Sequence, residues 1–134
     1  MSENRSDQAS ATGTVELTVP ADPAYVSVLR AVTASLAARH DLTLDEVDDL
    51  RIAVDEACAI LLPQAVPASE LQCRFWLGDA TMTVAVGATC TDPRPPAEQG
   101  FAWRVLSALT TFATSEVDDD RLVLTLSRSA GQHP

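Results

Sequence analysis

The chain has 134 residues, enough for one domain around one core. Its hydrophobic content of 46% and mean hydropathy of +0.06 exclude a chain that is disordered throughout. Nine arginines and no lysine stand against 19 acidic residues; the net charge of −10 argues against direct nucleic-acid binding, and the missing lysine excludes a P-loop phosphate site.

Residues 1–13 are small, polar and aperiodic and read as a tail. Residues 14–19 alternate, with Val15, Leu17 and Val19 on one face of a half-buried strand that Pro20 ends. Asp22 and Pro23 supply an N-cap and a first helical residue. Tyr25, Val28, Leu29, Val32 and Leu36 then follow helical spacing to about His40, with Tyr25 as an anchor of the helix in the core.

The best-signalled element spans residues 43–62. Thr43 and Glu46 have capping-box spacing, and Leu42 and Val47 have staple spacing. Asp45 and Glu46 suit the first turn. Val47, Leu50, Val54, Ala57, Cys58 and Leu61 form the core face, Arg51 is spaced to pair with Asp48 and Asp55, and Pro63 stops the helix. Residues 70–77 and 81–89 make a hairpin turning at Gly78-Asp79. A Pro-rich stretch, 91–99, leads to a helix over 100–111, an acidic turn at 117–120, a last strand over 121–128 and a tail over 129–134. This order of elements implies a single α+β domain over 14–128, a two-layer sandwich with helices on one face.

No apolar run is long enough to span a membrane, and the start lacks the basic-then-apolar order of a signal peptide; a cytoplasmic protein is expected. Cys58, Cys73 and Cys90 have no metal-like spacing and read as buried, reduced thiols, with a redox role for Cys73 and Cys90 as the alternative. His40 and His133 have no catalytic partner, and no metal site is expected.

Off the core face of the 43–62 helix lies a second stripe: Ile52, Glu56 and Ile60, four residues apart. A carboxylate there can orient a water on a phosphoryl group, and an oxygen ligand one turn on can hold Mg²⁺. Ile60 has no ligand atom. The alternative is that Glu56 is a solvated or interface glutamate.

The run Leu50-Arg51-Ile52-Ala53-Val54-Asp55-Glu56-Ala57-Cys58 resembles the signature helix of the GHKL (Bergerat-fold) ATPases, in their anti-sigma-factor, serine-kinase (RsbW-like) branch. Glu16-Leu17-Thr18-Val19-Pro20-Ala21 before Tyr25 and Leu29-Arg30 resembles the family's first strand and helix. Gly100-Phe101-Ala102-Trp103-Arg104-Val105-Leu106 falls where the family has its second glycine box. The resemblance implies an α/β sandwich with a mixed sheet, often a homodimer. It implies a protein that holds an alternative sigma factor inactive until a STAS-type anti-anti-sigma antagonist releases it. Active members phosphorylate that antagonist on serine with Mg-ATP. Arg30 matches an exposed family arginine at the partner surface, which Tyr25 also lines in one reading.

The departures fall on the nucleotide pocket. Glu56 matches the acidic base, but Ile60 replaces the Asn that ligates Mg²⁺. Gln64-Ala65-Val66 stands where His-Ala-Tyr is usual. The first glycine box, Asp-x-Gly-x-Gly, is reduced to Gly87 in a strand without an acidic residue. In the second box Gly100 remains and Ala102 replaces the next glycine, whose missing side chain lets a phosphate approach the backbone. Losing each charge-assisted or metal contact costs about 1.5–3 kcal/mol, roughly ten- to a hundredfold in affinity. The expectation is an anti-sigma factor that works without ATP turnover, with Glu56 a vestigial base and no cofactor unless the pocket still takes Mg-ATP. The alternative is an active protein serine kinase with Glu56 as base.

Overall fold

The computed structural model describes residues 11–39 and 41–131. The two histidines, residues 1–10 and residues 132–134 lie outside these residues, and Ser129 belongs to the last strand rather than to a tail. Eight elements follow in order: β1 (Ala11–Pro20), α1 (Val26–Ala37), α2 (Leu44–Leu61), β2 (Glu70–Gly78), β3 (Thr81–Thr89), α3 (Phe101–Leu109), β4 (Phe112–Asp118) and β5 (Arg121–Ser129). The strands form one sheet in the order β1-β2-β3-β5-β4, and the α+β sandwich expected from the sequence is present.

All four strand pairings are antiparallel, where the resemblance implied a mixed sheet. Connectivity explains this. Two helices lie between β1 and β2, so the chain crosses the helical layer twice and re-enters the sheet at the end it left. One helix lies between β3 and β4, which gives those strands the same direction, but β5 is inserted between them.

The core sits between helices and sheet. Leu71, Cys73 and Phe75 of β2, Met82, Val84, Val86 and Ala88 of β3, and Leu122, Leu124 and Leu126 of β5 are buried at alternating positions. Opposite them α2 buries Val47, Leu50, Val54, Ala57, Cys58 and Leu61, the face read from its sequence, together with Ala53. Each fully buried Leu or Phe contributes about 1.5–3 kcal/mol relative to exposure.

The start of α2 is doubly fixed. The Glu46 N–H donates to Thr43 Oγ1 at 3.1 Å, and the Thr43 N–H donates to Glu46 Oε1 at 2.8 Å, a complete capping box. Glu46 Oε2 also accepts from the Gly131 N–H at 3.4 Å, and Asp49 pairs with Arg128 at 3.2 Å. The end of β5 is thereby tied to the beginning of α2.

Five local expectations change. Residues 11–13 belong to β1 rather than to a tail. Asp22 caps a 3-10 turn, Pro23–Tyr25, before α1 begins. The buried stripe of α1 is Leu29, Thr33 and Ala37, while Tyr25 is 41% and Val28 42% exposed; Tyr25 is therefore no core anchor. The β2–β3 turn is Asp79-Ala80, with Ala80 in the left-handed region at φ 53°. Residues 112–118, unassigned or read as turn from the sequence, form edge strand β4, and the turn is Asp119-Asp120. No helix among the described residues is long and apolar enough to cross a membrane.

Candidate functional site

The outward stripe of α2 is present as spaced. Ile52 is exposed, Glu56 is half-buried, and Ile60 packs partly against the core. Of the acidic residues along α2, Asp48 pairs with Arg51 and Asp49 with Arg128. Asp55 is claimed by Arg30 of α1, whose Nε donates to Oδ1 at 2.9 Å and Oδ2 at 3.2 Å, so Arg51 does not reach it. Glu56 carries no hydrogen bond or ion pair within the described residues. A half-buried carboxylate left unanswered beside an answered one is free to accept from a ligand or a partner.

The residues do not fit a magnesium site. Ile60 presents hydrocarbon one turn after Glu56, and among the described residues no three His, Cys, Asp or Glu side chains converge as a metal would need. Gln64, where the resemblance places a histidine, does something else. Its Nε2 donates to the Ile60 carbonyl at 3.1 Å and to the Arg94 carbonyl at 3.0 Å, and its Oε1 accepts from the Arg94 N–H at 2.7 Å. This side-chain amide pins the Pro-rich segment to the C-terminal end of α2.

Gly100 caps α3 with extended backbone and no side-chain bond, and Ala102 is half-buried in the first turn behind the exposed Phe101. Gly87 does not point toward this group. Its neighbours Val86 and Ala88 face the core, so its own side-chain direction is the open face of the sheet, where a Cβ would meet Arg121 and Val123. The sequence reading also passed over Asp92. It stands just past β3, where the resemblance asks for an acidic residue after a strand, and its Oδ2 accepts from Arg94 Nε and Nη2 at 3.2 and 3.1 Å. Its position after the strand was the available signal.

All three cysteines are buried thiols. Burial pushes Cys58 and Cys73 up to about 12, and raises Cys90 as well. Burial of this kind disfavours the thiolate and suits a packing role for all three.

Residues 19–122, nearly the whole described fold, match the family described as histidine kinase-like ATPase domain. The chain belongs to that family. Among relatives of this ATPase-like domain, the anti-sigma-F factor RsbW of Mycobacterium tuberculosis is 35% identical over 95 residues, which cover 71% of this chain and 56% of the relative. The serine-protein kinase RsbW of Bacillus subtilis is 36% identical over 75 residues, covering 54% and 47%. That of Bacillus velezensis is 43% identical over 44 residues, covering 33% and 28%. The chain thus spans about half the length of the curated relatives it matches. The family and these relatives together place the chain in the RsbW-like GHKL branch, in which Mg-ATP use comes into consideration.

Proposed function

We propose that this chain is an anti-sigma factor that holds an alternative sigma factor by surface contact, is released by a STAS-type anti-anti-sigma protein, and does not turn over ATP. The carrying observation is Ile60: the helix that keeps Glu56 has hydrocarbon at the position that should ligate magnesium. Gln64 reinforces it by spending its amide on Arg94. The names of the relatives support sigma-factor binding, and the acidic surface suits a basic partner through long-range steering.

The partner surface in this reading is the outward side of α1 and α2. Arg30 is fixed by Asp55 rather than swinging free, and Tyr25, Val28 and Ile52 are exposed on or beside the same two helices. Apolar side chains beside a held charge suit recognition. Co-purification from the native host, with the bound protein identified, tests the reading; Arg30→Ala is expected to weaken capture of the sigma factor. Recovery of no sigma factor under any growth condition would overturn it.

The kinase alternative has two observations of its own, the unpaired Glu56 and Asp92 after β3. Calorimetry separates the two readings. Heat of Mg-dependent ATP binding at micromolar concentration would favour the kinase, and its absence the non-enzymatic binder.

A further inference from the structure

The open face of the sheet carries a cavity remote from the α2 stripe. It has a volume of ≈ 480 Å³ and lies across β1, β2, β3 and the start of β5, a size ordinary for small-ligand sites. Arg121 lines it. The cross-strand neighbour of Arg121 on β4 is Asp118, yet no ion pair joins them; the guanidinium lies the other way, over Gly87 of β3. Gly87 is what permits this path. A Cβ there would overlap Nη2 and come within 3.2 Å of Cζ.

The group is also short of acceptors. Arg121 Nε is buried without a hydrogen-bond partner, and among the described residues no ion pair involves this arginine, in a chain with 19 acidic residues. The other arginine of the cavity is already answered: Arg74 pairs with Glu16 at 2.9 Å and lies over the Trp76 ring at 5.7 Å. That pairing also offsets the one carboxylate on the cavity wall. Trp76 and Val123 provide apolar surface beside the unanswered charge.

We propose that this cavity binds a small aromatic carboxylate, with the carboxylate against Arg121 and the ring against Trp76 and Val123. A guanidinium matches a carboxylate in plane and supplies paired donors. Arg74 already lies over one face of the Trp76 indole, so the bound ring meets the indole's remaining surface. The proposal is independent of the sigma-factor reading.

Trp76 reports directly on the site. With Trp103→Phe it becomes the single tryptophan, and benzoate and indole-3-acetate are the probes. A saturable change in Trp76 emission is expected below about 10 mM, a standard free energy of a few kcal/mol. Arg121→Gln should weaken binding at least tenfold with an unchanged thermal midpoint, and Gly87→Ala should weaken it by displacing the guanidinium. If Gly87→Ala fails to fold, Arg121→Gln carries the test alone. No saturation, or equal affinity in Arg121→Gln, would overturn the proposal. So would binding of inorganic phosphate as tight as benzoate. A dimer that forms without carboxylate and dissociates on Arg121→Gln would assign this face to a second copy of the chain instead.

Discussion

The two faces of the sheet solve different problems with similar strand sequences. On the inner face the long side chains of β2, β3 and β5 are buried in the core shared with the helices, and what remains outside is the α2 stripe with Glu56, Ile60 and the Gln64 latch. On the outer face β3 and β5 present mostly threonine, serine, alanine and glycine, β2 adds Arg74 and Trp76, and the unpaired Arg121 lies over Gly87. The inner side is specified by packing. The outer side is free of that demand, so a glycine lying beneath an arginine guanidinium there is a feature to explain. Packing therefore accounts for most residues of the helical layer, and chemistry has to account for the exceptions on both sides.

The widest contrast is between neighbours. Phe75 is fully buried and Trp76 faces out. Phe75→Ala is expected to cost about 3–5 kcal/mol, read from the denaturant midpoint. Trp76→Ala should cost about 1 kcal/mol or less. Equal losses would abolish the distinction between the faces.

Next in size is the start of α2. Thr43→Ala should cost about 1 kcal/mol by removing the cap. The bonds that Glu46 accepts, chiefly from the Thr43 backbone N–H, hold its carboxyl below the ordinary value. A depressed carboxyl stabilises the fold above its unfolded pKa, and that contribution is lost as pH falls through the folded value. Wild type should therefore lose more stability than Glu46→Gln on acidification below about pH 4.5. Parallel pH curves for the two proteins would show that the cap is not coupled to protonation.

An effect of similar size tests the outer face. Gly87→Ala should destabilise by about 1 kcal/mol when Arg121 is present and be neutral or better when Arg121 is alanine, a coupling read from a double-mutant cycle. Additive changes would mean the two residues do not share space. The smallest effect belongs to Gln64→Ala, about 1 kcal/mol or less in stability. Its signature is local: faster hydrogen exchange at the Arg94 amide, which that side chain protects.

How far the sequence disclosed these features depended on whether their causes were local. The caps, core face and stop of α2 all lie within its own residues, and all were legible. In α1 the apolar positions outnumber those the core accepts, so the stripe was rotated toward Tyr25 and Val28, which are exposed. β4 was missed because it is a polar edge strand whose sequence alternates weakly. The Arg30–Asp55 pair joins residues 25 apart, and Gln64–Arg94 residues 30 apart; neither spacing carries a signal along the chain. The candidate-site residues Glu56 and Ile60 were placed by helical periodicity. The outward direction of Gly87 required the strand register, because one position along β3 exchanges one face for the other.

The Gln64 latch has one more consequence, in the supply of backbone donors. Residues 93–96 read Pro-Arg-Pro-Pro, and proline has no N–H. Arg94 therefore owns the one amide hydrogen in those four residues, and Gln64 accepts it. Loops that cradle phosphate do so with successive free amides. Here the stretch has a single amide to give, and it has already given it to Gln64, in the 3-10 turn just past α2.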